Sequence, residues 1–228
     1  MGFKRVWDTC CPHVWDSWDG ADGVKCVISD LRPEDDEEAL KILMEHLVPD
    51  EALCNHSHDP ISLKSIETFW RGYLSLRMSL ACYEEKDGIR KIVGVNVCLI
   101  HSFRSKPHVE GKPWINVYNA LMVCDRKADV FEFLNLDKVL YAFGLAVHRD
   151  YRGHGLGSRI LLAREGLALY HGVKGTSTVF TGPASQISAE RAGFSTAAEV
   201  TWKELAEAGL DYPEDETRSI KLMVKKYV

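Results

Sequence analysis

The 228-residue chain contains no apolar run long enough to cross a bilayer, and its first twenty residues carry Asp8, Asp16 and Asp19 where a secretory leader would need an apolar stretch. A basic surplus is also missing. Lys and Arg total 28 against 33 Asp and Glu, a net charge of −5, which speaks against a nucleic-acid partner. The 7 cysteines are odd in number and none forms a C-x-x-C pair, so neither a disulfide framework nor a zinc ribbon is supported. A reduced, cytoplasmic monomer without membrane or metal is the expectation. No repeat, low-complexity tract or linker interrupts the chain, so residues 24–228 are expected to form one domain behind an N-terminal arm, 1–23. Trp7, Trp15 and Trp18 lie among polar residues in that arm, and packing of their indoles on the domain is their expected use.

What is present is an alternation of strand and helix signals. Residues 24–28 read as a strand. Leu40, Leu43 and Leu47 then recur at helical spacing behind an acidic first turn, as the helix dipole prefers, until Pro49 stops them. Leu63, Ile66, Trp70 and Tyr73 mark a second helix over 62–77. Strand-like runs 80–84 and 89–100 flank Lys86-Asp87-Gly88, a hairpin signal. Pro107, Gly111 and Pro113 make 101–113 a long loop, and 115–134 is predicted as one helix. Strand 139–147, helix 156–170, strand 176–180, a short helix 184–191 closed by Gly193, and strands 197–202 and 219–225 complete a mixed α/β domain.

Between strand 139–147 and the helix that follows stands Arg152-Gly153-His154-Gly155-Leu156-Gly157. Unpaired N–H groups and the helix dipole make such a junction an anion site, and glycines let a phosphate lie against the main chain itself. A Walker loop would need Gly-Lys-Ser/Thr, yet Gly157-Ser158-Arg159 stands there. A dinucleotide fingerprint would need G-x-G-x-x-G after an early strand, and this is G-x-G-x-G late in the chain.

The arrangement resembles the acetyl-coenzyme A loop of the GCN5-related N-acetyltransferases, Arg/Gln-x-x-Gly-x-Gly/Ala, with Arg152, Gly155 and Gly157 in the fixed positions. Ser188 to Phe194 resembles that family's closing run and Gly94-Val95-Asn96 one of its strands. The resemblance implies a central, mostly antiparallel sheet, flanked by helices and splayed at its fourth and fifth strands. It implies acetyl-CoA as co-substrate, held by Leu145, Ala146, Val147, Arg152, Gly153, His154, Gly155, Leu156, Gly157 and Ser158. More narrowly, Arg32-Pro33-Glu34-Asp35, Val48 to Leu53 and Ile220 to Lys226 resemble the insect arylalkylamine N-acetyltransferases. That likeness implies Glu34 as general base, with Thr181 and Ser185 as active-site hydroxyls. A tyrosine that protonates the leaving thiolate in many relatives is replaced here by Ala189, and Ser185 is the expected substitute.

The implied reaction is direct attack of a small primary arylalkylamine, of the dopamine, tyramine or serotonin type, on acetyl-CoA in a ternary complex. The amine must lose a proton to a base, and no cysteine belongs to a nucleophile–base motif that would give an acetyl-enzyme. A backbone N–H near Ala146 or Val147 is the expected donor to the developing oxyanion. Polyamines, agmatine and protein amines stay open as acceptors, and so does a non-catalytic acetyl-CoA-binding module. His56-Ser57-His58-Asp59 has no second cluster to complete a zinc site and reads as loop. The loop 101–113 and the acidic stretch 211–216 are expected to shape the pocket.

Overall fold

The computed structural model describes residues 3–20, 23–54, 59–101 and 107–228. His56 to His58 and part of the 101–113 loop thus lie outside the described residues. Eight strands are described: β1 (Val14–Asp19), β2 (Lys25–Asp30), β3 (Leu80–Lys86), β4 (Ile89–His101), β5 (Val139–Val147), β6 (Gly175–Phe180), β7 (Ser195–Thr201) and β8 (Ser219–Lys226). They form one sheet in the order β1-β2-β3-β4-β5-β6-β8-β7, antiparallel except for β5 with β6. The helices are α1 (Asp36–His46), α2 (Pro60–Leu74), α3 (Lys112–Asp125), α4 (Val130–Leu134), α5 (Leu156–Tyr170), α6 (Pro183–Arg191) and α7 (Trp202–Glu207).

Local chemistry accounts for these elements. Asp87 and Gly88 both have positive φ, the two-residue turn that suits the twist of the β3–β4 hairpin. The Asp59 carboxylate accepts from Ser62 N at 3.0 Å and Pro60 follows it, so α2 starts there. The single helix expected over 115–134 is two. Asp129 accepts from Phe131 N at 2.9 Å and nucleates α4 separately, after α3 has ended.

The sheet carries helices on both faces. On one, α1, α2 and α3 bury Leu43, Ile66, Trp70, Trp114 and Val117 against Val95, Val97, Val139 and Val179. On the other, α5 lays Ile160, Ala163 and Leu167 on Cys98, Leu140 and Ala142. Beside α5, Ala189 of α6 is sealed among Leu161, Phe180, Phe194 and Met223.

The N-terminal arm does more than pack indoles, since it supplies β1. Arg5 and Asp30 form an ion pair at 2.7 Å with side chains 3% and 1% exposed. Asp30 also accepts from Trp15 Nε1 at 2.9 Å, while Arg159 of α5 pairs with Asp16 and lies 3.8 Å from the Trp18 ring centre. Because the arm adds a strand, the two strands that part are the fifth and sixth of this sheet.

Candidate active site

β5 and β6 meet at only two pairs, Leu140–Thr176 and Tyr141–Ser177. Beyond them the strands diverge. Between the pairs Asn96–Leu145 and Cys98–Ala142, β5 has Phe143 and Gly144 where β4 has only Val97, a bulge that bends β5. Gly144 is required there. Its φ is +127°, and a Cβ would come within 3.3 Å of Trp70 Nε1. The bulge carbonyls are taken by side chains: Phe143 O accepts from Trp70 Nε1 and Gly144 O from Asn96 Nδ2, both at 2.7 Å.

The divergence opens a cavity of about 560 Å³. One part of its wall is Leu145 and Val147 of β5 with Tyr151, Arg152, Gly153, Gly155, Leu156 and Gly157. Gly155 caps α5 at φ 77° without a side chain, and a Cβ on Gly153 or Gly155 would find no atom within 4 Å. Among the described residues, no loop hydrogen bond consumes the N–H groups of residues 153–158. Ser158 Oγ is buried without a partner among the described residues. This is main chain left free for an anion. Ala146, His154 and Ser158 are not part of the lining; Ala146 is 1% exposed and pairs with Val95. Arg152 does line the cavity, but its guanidinium is engaged, by Asp50 at 2.7 Å, by Val147 O at 3.0 Å and by His46 O. Asp50 also receives Arg149, and the two arginines lower its pKa.

Another part of the wall is aromatic: Phe69 and Trp70 of α2, Trp114 of α3, and Tyr141 and Phe143 of β5. Phe69 meets Trp114 and Phe143 edge to face, with centroids at 5.3 and 5.2 Å. Trp114 Nε1 is buried with no partner among the described residues.

The expected base is not in this cavity. Glu34 sits in the short turn Pro33–Asp35 with its side chain 63% exposed, 3.9 Å from Arg32 and outside the lining. That turn precedes α1, whereas the cavity lies beyond the other end of the helix. There Glu51, after the turn Val48–Asp50, lines the cavity beside Thr181. Burial raises the Glu51 pKa, against the opposing hydrogen bonds from Thr181 and from the backbone of Leu53 and Ala52. His46, also in the wall, has its pKa lowered by burial and then by His148, whose ring centre is 4.1 Å away. Sequence reasoning passed over Glu51, although the run Val48 to Leu53 carried part of the resemblance.

Thr181 and Ser185 both line the cavity as expected. Ser185 Oγ donates to Gly182 O at 2.8 Å, closing the first turn of α6. Ala189 is fully buried among Leu161 of α5 and Met223 of β8 and is not part of the cavity lining. The acidic stretch 211–216 lies outside the lining; Asp211 N donates to Asn116 at 2.9 Å and Tyr212 OH to Leu53 O at 3.2 Å.

No family model and no curated protein matches the chain. Solved structures do. A putative arylalkylamine N-acetyltransferase 7 from the yellow fever mosquito Aedes aegypti is 28% identical over 98% of this chain and 99% of that one, with a TM-score of 0.89. A mosquito arylalkylamine N-acetyltransferase like 5b is 25% identical over 88% of this chain and 99% of its own, at 0.73. A Drosophila melanogaster polyamine N-acetyltransferase that forms N-acetylagmatine is 16% identical over 88% and 99%, at 0.72, a likeness of fold.

Proposed function

We propose that this chain, which belongs to the GCN5-related N-acetyltransferase superfamily and within it to the insect arylalkylamine N-acetyltransferase-like group, acetylates a small hydroxylated arylalkylamine with Glu51 as general base. That it is an acetyl-CoA-dependent amine N-acetyltransferase follows from the group. The acceptor and the residue roles are our reading.

The carrying observation is Glu51, a carboxylate in the cavity with a raised pKa and a hydrogen bond to Thr181. An alkylammonium entering the cavity meets this carboxylate as a counter-charge. A carboxylate made more basic by burial is better matched to taking the amine proton. Thr181 orients it. Among the described lining residues the other carboxylate, Asp50, is held by Arg149 and Arg152.

The aromatic wall supports an arylalkyl body over a polyamine. A second cationic end would lie against Phe69, Trp114 and Phe143 with no carboxylate to meet it among the described lining residues. The unpartnered Trp114 Nε1 favours a ring that carries a hydroxyl, since an indole N–H needs an acceptor when buried.

The donor half fits acetyl-CoA: the free N–H groups of residues 153–158 suit a diphosphate, and the unpaired edge of β5 beyond Ala142 suits a pantetheine arm. When bound, this co-substrate supplies the acyl group as a thioester. Leu145 and Val147 flank it, and Arg152 reaches a diphosphate only by leaving Asp50. Ser185 can give its proton to a departing thiolate only by opening its bond to Gly182 O, so we assign Ser185 to holding the α6 turn.

The test is thiol release from acetyl-CoA across tyramine, dopamine, serotonin, spermidine and agmatine. Turnover fastest on the phenolic amines, and lost in Glu51→Gln with acetyl-CoA affinity retained, is the expected result. Full activity in Glu51→Gln would remove Glu51 from the role, and preference for agmatine or spermidine would remove the acceptor class.

A further inference from the structure

Arg164 is fully buried, yet it lines the cavity. It stands on α5 a little over two turns beyond Leu156, about 12 Å along the axis at ~1.5 Å per residue. Its Nε donates to Asn96 Oδ1 at 2.7 Å, and its Nη1 to Thr178 Oγ1 at 2.9 Å and Thr176 Oγ1 at 3.4 Å. Its Nη2 has no partner among the described residues. All three acceptors are neutral. The other arginine buried among the described residues, Arg5, has Asp30 at 2.7 Å. A guanidinium cannot shed its proton, and a buried charge without a counter-charge is strongly unfavourable. Arg164 has the Phe194 ring 5.9 Å from its guanidinium carbon but no carboxylate partner among the described residues.

Its position says where a carboxylate partner can come from. Arg164 and Thr178 flank the point where β5 and β6 converge, one residue beyond the Tyr141–Ser177 pair. They do so from the face covered by α5, whose N-terminus carries the glycine loop, and opposite the face that carries the aromatic wall. The glycine loop and Arg164 line one cavity, so a ligand that enters by the loop shares an enclosure with Arg164.

We propose that Arg164 binds a carboxylate at the far end of the acyl group, so that the enzyme transfers carboxyl-terminated acyl chains, a short dicarboxylic acid joined to coenzyme A through one end, as well as acetyl. The proposal rests on the reading of the glycine loop as the coenzyme A site. In the transfer the amine nitrogen bonds the thioester carbonyl carbon and the carbon–sulfur bond breaks. Glu51 takes the amine proton, and coenzyme A leaves with the sulfur electron pair. The distal carboxylate stays ionised against Arg164 and is unchanged.

The experiment compares succinyl-CoA with butyryl-CoA, donors of equal carbon number, on the wild-type chain with the best amine acceptor. The expected kcat/KM is at least about tenfold higher for succinyl-CoA, as a hydrogen bond between charged groups gives. In Arg164→Met that ratio falls below one, and Arg164→Lys restores part of it. Equal or better use of butyryl-CoA by the wild type overturns the proposal. So does a loss in Arg164→Met that is equal for both donors at unchanged Tm, which would assign Arg164 to the carbonyl oxygen instead. If Arg164→Met does not fold, the wild-type ratio decides. If no amine is turned over, the amine-transfer reading fails, and calorimetry of the two donors still tests Arg164, with tighter succinyl-CoA binding expected.

Discussion

The two halves of the cavity are made of different material. The half proposed for the donor is main chain: glycines, N–H groups free among the described residues and a stretch of β5 that no strand pairs. The half proposed for the acceptor is side chain: a carboxylate, a hydroxyl and a wall of rings. Backbone recognises what every acyl-CoA shares, because every peptide offers the same N–H. Side chains recognise what differs among amines. One half is thereby suited to a fixed partner and the other to a chosen one, with the β5 bulge as their common frame.

The sharpest way to break this contrast is at Glu51. Glu51→Gln is expected to cut kcat about 10²–10⁴-fold, the range for losing a general base. The wild-type rate should climb with pH across a value above the ordinary 4.5, since the ionised form is the active one and burial raises its pKa; the variant should lose that limb. The sign carries over to stability. A carboxyl whose pKa rises on folding stabilises below its unfolded value and ceases to do so as pH climbs through the folded one, so Tm relative to Glu51→Gln should fall over that interval. On the donor side, Gly155→Val places a β-branched residue at φ 77°. That costs about 1–2 kcal/mol and should weaken acetyl-CoA about tenfold by calorimetry, leaving the ranking of amines intact. A change in the ranking would mean that the halves are not separable. Trp114→Phe removes one N–H and should lower the kcat/KM ratio of tyramine to phenethylamine about fivefold, one neutral hydrogen bond. Smallest is Glu34→Gln, expected within about twofold of wild type because it lies on the exposed turn before α1.

The glycine-loop side of the cavity was legible in the sequence and the aromatic side was not, for the same physical reason. A strand, a glycine-rich turn and a helix are consecutive, so residues 139–170 state their geometry locally. Glu51 and Trp114 come together only through the β5 bulge and the parting of β6, which depend on pairings between distant residues, and Thr181 was reached through the family resemblance alone. Glu34 and Glu51 illustrate the limit: each follows a proline in a short helical turn, one at either end of α1, and nothing local tells which end faces the cavity. The division of 115–134 turns on one capping carboxylate, Asp129. The arm has strand-like stretches too short and too polar to separate from loop until β2 offers its edge.

That arm decides how the chain can be shortened. Without β1, the outer rim of the sheet becomes Lys25–Asp30, whose Val27 and Ile28 are 7% and 0% exposed, an open ladder ready to pair with another chain. Asp30 would at the same time lose Arg5 and Trp15. A truncation that looks like trimming a tail would uncover a sticky border and leave a carboxyl behind it without two of its partners.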